Sequence, residues 1–313
     1  MNPSASYDLI AGFIDSILRV STPILIASLG ELVGELSGVI NLGLEGVMLA
    51  GAFSGFCLCY FFDSAILGII GALFTGAVLG LTMAFLSIRL KTNQIVTGFG
   101  LWILCQGVVG FAFRKIFGVV VKPPSIPGLI DTPIPVLSSI PLLGETFFSQ
   151  NAIVYFSWLL VVCVFYILKY TSWGLRIKAV GESPAVAEAA GINYVLVRYS
   201  AVAFGGAMAG LAGAFLSLGV LHFFTDGMIA GLGFISVAVV FFSRWRPFWA
   251  MIGAVVFAAS SALQYRLQAI GFPLPYQILL MLPYLVTILF LILFVRGEGA
   301  PASLGEAYEK EKT

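Results

Sequence analysis

Residues 65–88 read AILGIIGALFTGAVLGLTMAFLSI, a run of apolar and small residues without a charged side chain. A helix lying on a soluble core keeps a polar stripe on its outer face, and this run has none. About 20 such residues in a row suffice to cross the hydrocarbon core of a bilayer, so the run predicts a spanning helix. Eight further stretches share its character, at about 10–29, 44–62, 94–117, 151–168, 196–220, 228–243, 248–265 and 277–295. Each has the length or near-length of a span. Spanning helices satisfy their own backbone groups in lipid. The expected fold is an all-α polytopic transmembrane bundle of about eight to ten spans, read as a single domain over residues 1–313.

Composition agrees. Residues of the AVILMFWYC set make up 60% of the chain, charged residues 10%, and the mean hydropathy is +1.04. A soluble domain carries about 25% charged residues, so too few charges are present to build a water-facing surface. The net charge of +1 and the lack of a basic patch argue against a nucleic-acid partner. Cys57, Cys59, Cys105 and Cys163 all lie in apolar runs without metal-ligand spacing and read as packing residues. The N-terminal MNPSASYDLI has no positive segment ahead of its apolar stretch, so no cleaved signal peptide is expected.

Lys and Arg mark the cytoplasmic side. They gather at Arg89/Lys91, at Lys169/Arg176/Lys178/Arg198, at Arg244/Arg246 and at Arg296/Lys310/Lys312. The alternate connections carry fewer: Arg114, Lys115 and Lys122 in one, Arg266 in another. The C-terminal tail is thus expected inside, and nine spans place the N-terminus outside. The stretch 30–43, GELVGELSGVINLG, reads as neither span nor loop. If it dips into the membrane and returns, that parity changes. Small-residue pairs at Gly51/Gly55, Gly76/Gly80 and Gly206/Gly210, the last continuing to Ala214, predict close helix packing.

Two connections are long. The outer one, about 118–150, holds six prolines with Asp131 and Glu145. The prolines exclude a long helix, leaving an ordered cap, a docking surface or an inert cover. The inner one, about 169–197, contains a punctuated short helix. Ser183 suits the N-cap, Pro184 the first helical position and Gly191 the position just past the end. The helix between them, PAVAEAA, is far too short to span. Beside Arg176, Lys178 and Arg198 on the cytoplasmic side, it is shaped to enter a groove on a partner protein; the alternative is a surface helix with no partner.

Catalytic chemistry is missing from the residues. No phosphate loop G-x-x-x-x-G-K-[ST] occurs, and His222 stands alone in an outer turn. No nucleophile set, zinc spacing or acid–base pair is present, so an enzyme is not expected, nor a cofactor or metal. The informative polar residues, Glu31, Glu35, Asn41 and Glu45, share one glycine-broken segment. Ionisable groups at membrane depth are functional candidates, and freed backbone groups persist there only within protein or beside a water cavity. Asn41 and Glu45, which open the next helix, are the candidates for lining or bracing a solute path. The alternative is an interfacial role, with the carboxylates capping helix starts and meeting Arg.

The segments GVINLGLEGVMLAGAF (38–53) and WGLRIKAVGESPAVAEAAGI (173–192), followed by the glycine-rich span 205–214, resemble the integral permease of bacterial ABC importers for simple sugars, branched-chain amino acids and nucleosides. The resemblance covers about residues 15–297. The wording GELVGELSGVINLGLEG is most similar to permeases of the nucleoside type. Where that family has a Gly-Arg-Trp-Asn-Pro-like turn, this chain has Ser243-Arg244-Trp245-Arg246-Pro247. The resemblance implies a multi-pass protein of the bacterial cytoplasmic membrane, a cytoplasmic ABC ATPase, a second, unlike permease subunit in a heterodimer, and an extracytoplasmic substrate-binding lipoprotein. It makes the short helix, with Ser183, Pro184, Ala187, Glu188, Ala190 and Gly191, a coupling helix seated in the ATPase.

A nucleoside needs flat apolar faces for its base and a few polar groups for its ribose. Phe99, Trp102 and Gln106, at i, i+3 and i+7 on one helix face, supply both; read otherwise, they are ordinary lipid-facing or core residues. A simple sugar or a flavin-like ribosyl compound is the alternative solute. An ion-coupled secondary transporter also uses broken helices at mid-membrane, but membrane carboxylates are scarce outside 31–45.

Overall fold

In the computed structural model, which describes residues 3–118, 123–133, 135, 143–273, 275–294 and 299–308, the apolar stretches are helices. In order they are α1 (Pro3–Leu36), α2 (Leu44–Phe62), α3 (Ala65–Ala84), α4 (Gln94–Phe117), α5 (Leu143–Phe147), α6 (Ala152–Tyr170), α7 (Ser172–Glu182), α8 (Pro184–Ala189), α9 (Tyr194–Ala214), α10 (Leu232–Ser243), α11 (Pro247–Ala269) and α12 (Tyr276–Phe294). The helices α3 and α9 run on through π-helical turns at Phe85–Arg89 and Phe215–Leu221. Ser64, Asn93, Asn151, Thr171, Ser183 and Asn193 each begin a helix by accepting the backbone N–H three residues later. Such caps satisfy donors that a helix start would otherwise leave orphaned.

Among the described residues, seven helices are long and apolar enough to span, and two shorter apolar ones are Leu232–Ser243 and Tyr276–Leu289. Each of the nine expected stretches therefore contains a helix, as an all-α polytopic bundle requires. Packing centres on α9, which α1, α2 and α3 surround. Glycine makes that possible: a Cβ on Gly51 or Gly76 would run into the backbone of Gly210 or Gly206, so the predicted pairs are where backbones meet. Outward, α3 and α4 present Ile66, Phe74, Ile103 and Phe111, a surface suited to lipid or to an apolar partner.

Different charged groups meet at the two ends of the bundle. At one end Arg198 meets Ser37 and Ser303, and Gly299 lies beside Arg244. At the other, Arg19 pairs with Asp131, and Arg114 with Asp226. Lys122, Arg296, Lys310 and Lys312 lie outside the described residues, as does the side chain of Glu145 and much of the proline-rich connection.

The stretch 30–43 divides at Leu36. The helix α1 continues through Glu31 and Glu35, and only residues 37–43 are irregular. Gly38 turns the chain at φ +92, a conformation that favours glycine. The chain then doubles back along α1: Val39 N donates to Gly34 O (3.3 Å) and Asn41 N to Glu31 Oε1 (2.7 Å). In consequence α2 begins inside the bundle. A second break mirrors this from the opposite end of the bundle. Past His222 the chain folds inward, Phe224 packs among Phe53, Phe56 and Phe113, and α10 begins only at Leu232. The expected stretch 228–243 thus opens with a turn, leaving a helix about 18 Å long at 1.5 Å per residue, well short of a span.

Candidate functional site

The two breaks converge. Glu45, in the first turn of α2, points its carboxylate at the start of α10, where Oε1 accepts Gly231 N (2.8 Å) and Oε2 accepts Gly233 N (2.7 Å). Gly231 offers α10 no side-chain cap, so Glu45 acts as that cap from another helix. The pairing joins a carboxylate to the positive end of a helix dipole. Asn41 shapes the approach to α2: its Oδ1 accepts Gly43 N (3.0 Å), and it is 2% exposed. Gln94, at the start of α4, accepts Ile40 N through Oε1 (2.8 Å).

The helix α4 lies against the same place because the start of α2 is glycine. A Cβ on Gly46 would press on Trp102 Cα, and one on Gly43 on Gly98 O. Trp102 and Phe99 are thereby set beside Phe234 in the first turn of α10. Ring centroids lie 6.2 Å apart for Phe99–Trp102, 6.1 Å for Phe99–Phe234 and 5.3 Å for Trp102–Phe234. Phe99 is 41% exposed on the outer side of this cluster. Of the five expected pathway residues, the fold brings Asn41, Glu45, Phe99 and Trp102 together. Gln106 stands one to two turns further along α4, exposed on the same face as Phe99.

Among the described residues neither Glu31 nor Glu35 pairs with an arginine. Both are buried; Glu31 receives Asn41 N, and Glu35 Oε2 receives Trp245 Nε1 (2.7 Å). Arg244 and Trp245 both hold left-handed backbone, φ +51 and +57, which is costly for side chains of that size. The buried indole–carboxylate bond holds the turn in that conformation and ties the end of α10 to α1.

At the end of the bundle that carries Arg198 and Arg244, α8 has the expected ends: Ser183 Oγ accepts Val186 N (3.4 Å), Pro184 starts the helix, and Gly191 has φ +79. Its faces differ from the expectation. Ala187 is 2% exposed and packs inward, whereas Val186 is 69% exposed and Ala189 and Ala190 also face out. Glu188 accepts the Tyr308 hydroxyl (3.1 Å), and Tyr308 stacks edge-on against Tyr194. The C-terminal segment is thereby laid against the short helix. Arg198, counted in the sequence among the basic residues around the short helix, is 1% exposed. Its guanidinium donates to Ser37 O (2.9 Å) and Ser303 Oγ (3.0 Å), joining the first break to the tail. Nothing local in the sequence separates it from the solvated arginines nearby.

Among the described residues no cluster of His, Cys, Asp and Glu could hold a metal ion. The arrangement is a broken entry to α2, a short α10 capped from α2, and a six-residue helix α8 at one end of the bundle. Residues 13–295 match the family of permease components of the branched-chain amino acid transport system. A protein of Haloferax volcanii assigned as a glucose ABC transporter permease is 36% identical, over 96% of this chain and 98% of its own. A guanosine ABC transporter permease of Bacillus subtilis is 33% identical over 94% and 95%. A nucleoside ABC transporter permease of Lactococcus lactis is 31% identical over 95% and 96%. With its multi-pass helical bundle and these relatives along nearly its whole length, the chain belongs to this family of ABC transporter permeases, membrane subunits that work with a separate ATPase and a substrate-binding protein.

Proposed function

We propose that the chain is the single-domain membrane subunit of an importer that carries a nucleoside. The observation that carries this reading is the aromatic cluster of Phe99, Trp102 and Phe234 beside the Glu45-capped start of α10. Flat rings suit a base, since stacking on an aromatic face is favourable for any base. Gln106 on the same exposed face would meet ribose hydroxyls. Asn41 and Glu45 brace the site, holding the starts of α2 and α10 in place. The guanosine and nucleoside permeases among the relatives support the same solute class.

The mechanism follows from the two ends. The α8 helix, bounded by Ser183, Pro184 and Gly191, presents Ala190 and its neighbours to a groove on the ATPase, while Ala187 and Glu188 fix it to the body of the chain. Closure of the ATPases on ATP moves α8, and the buried ties at Arg198 and Trp245 pass that movement to the breaks. A second, unlike permease completes the pathway along the exposed face of α4, and a substrate-binding lipoprotein docks on the outer connections.

A simple sugar is the second reading, supported by the Haloferax volcanii relative. Uptake of labelled guanosine and labelled glucose by the reconstituted complex, with and without ATP, separates the two. ATP-dependent guanosine uptake that falls about tenfold or more in Trp102→Ala is expected, corresponding to about 1.4 kcal/mol of lost stacking. Glucose uptake without guanosine uptake overturns the nucleoside reading.

A further inference from the structure

Three neutral polar side chains, Ser261, Gln264 and Gln268, fall at i, i+3 and i+7 on one face of the membrane-spanning helix α11. All three line a cavity of about 550 Å³ in the outer half of the bundle, between α1, the π-helical end of α9, the 228–232 turn, α11 and α12. Small-molecule sites occupy about 300–1,000 Å³. None of these three side chains has a hydrogen-bond partner among the described residues, and Gln268 Nε2 is buried without one. Buried polar groups are otherwise satisfied within the protein. Here they face a cavity instead.

We infer that this cavity is a binding site for a neutral ring solute bearing hydroxyl or amide groups, open to the outer side and separate from the aromatic cluster on α4. The inference rests on the transport reading and adds a second station to it. Each glutamine amide offers two donors and an acceptor, and Ser261 offers one donor with acceptor capacity, a set that matches hydroxyls and ring amides. Tyr265, Tyr276 and Tyr284 on the same walls supply amphipathic rings. Among the described lining residues Arg19 alone is charged, and it is already engaged by Asp15 (3.0 Å) and Asp131 (3.5 Å). Among the described residues no carboxylate lines the cavity. The ammonium group of an amino acid would have no counter-charge there, so the site selects against the zwitterions after which the family is named. Its position also matters. Met228, Ala230 and Leu232 line the cavity, while Gly231 and Gly233 of the same turn donate to Glu45. A solute in the cavity therefore rests against the helix start that Glu45 holds.

The test uses Gln264→Leu and Gln268→Leu in the full reconstituted complex, reading guanosine and glucose uptake against concentration, with leucine uptake as the zwitterion control. A purely structural role predicts no loss, because these glutamines hold no protein group and leucine suits a lipid-embedded helix. The site predicts that each variant raises the half-saturating concentration of the transported solute about two- to tenfold, with the maximal rate and ATPase co-purification near wild type. Gln264→Asn should restore part of the loss. Unchanged half-saturation in both leucine variants, with wild-type uptake intact, overturns the cavity site and leaves the transport reading standing. Altered lipid co-purification with unchanged half-saturation overturns it too, assigning the cavity to a lipid. No ATP-dependent uptake by the wild-type complex of either neutral solute overturns the transport reading itself.

Discussion

Glu45→Ala removes the acceptor for two backbone donors, Gly231 N at 2.8 Å and Gly233 N at 2.7 Å. Glu45 is 8% exposed, and α10 has no other side-chain cap. Each buried donor left unsatisfied costs about 1–3 kcal/mol. Water reaching the loosened junction recovers part of that, and a net loss of about 2–4 kcal/mol is expected. Glu45→Gln keeps the volume and one acceptor oxygen but turns an amide toward the second donor; it should lose about 1–2 kcal/mol. The assay is equilibrium unfolding of the purified chain in mixed detergent micelles, paired with uptake by the reconstituted complex. Both variants should unfold more readily, alanine more than glutamine, and uptake should fall in the same order while the ATPase still co-purifies. Alanine and wild type unfolding within about 0.5 kcal/mol of each other would show that α10 does not depend on this carboxylate, the range of an ordinary surface substitution.

Ala190→Trp should weaken docking of the ATPase by about 1 kcal/mol or more, roughly fivefold in affinity, because Ala190 faces outward; wild-type co-purification and ATP hydrolysis would remove α8 from the contact. Ala187→Trp is a different experiment, since Ala187 is packed inside and the larger ring would disturb the chain itself. Arg198→Ala should free the C-terminal segment, leaving Ser37 O and Ser303 Oγ without their donor at about 1–3 kcal/mol. Limited proteolysis should then cut near residues 299–308 far faster than in wild type, and unchanged protection would refute the tie.

The class of fold was legible because membrane spans announce themselves by length and by the lack of charge. Runs such as 65–88 need no tertiary information to be read as helices, since lipid leaves the backbone no other open arrangement. The glycine pairs and the ends of α8 were equally local: a missing Cβ, a capping hydroxyl and a proline at the first helical position act within a few residues. What only the tertiary structure decided was the fate of polar groups whose partners lie far along the chain. Glu45 meets Gly231 and Gly233 186 and 188 positions away, Glu35 meets Trp245 210 positions away, and Arg198 meets Ser37 161 positions away. A carboxylate or guanidinium at membrane depth must find a partner, but the sequence does not say which, because the choice depends on how the half-helices dock. For the same reason Arg198 could pass for a surface charge, Ala187 for a contact residue, and the α11 glutamines for ordinary span residues. Facing is set by packing against neighbours, and on a helix that is apolar nearly all round no periodic pattern records which side is buried.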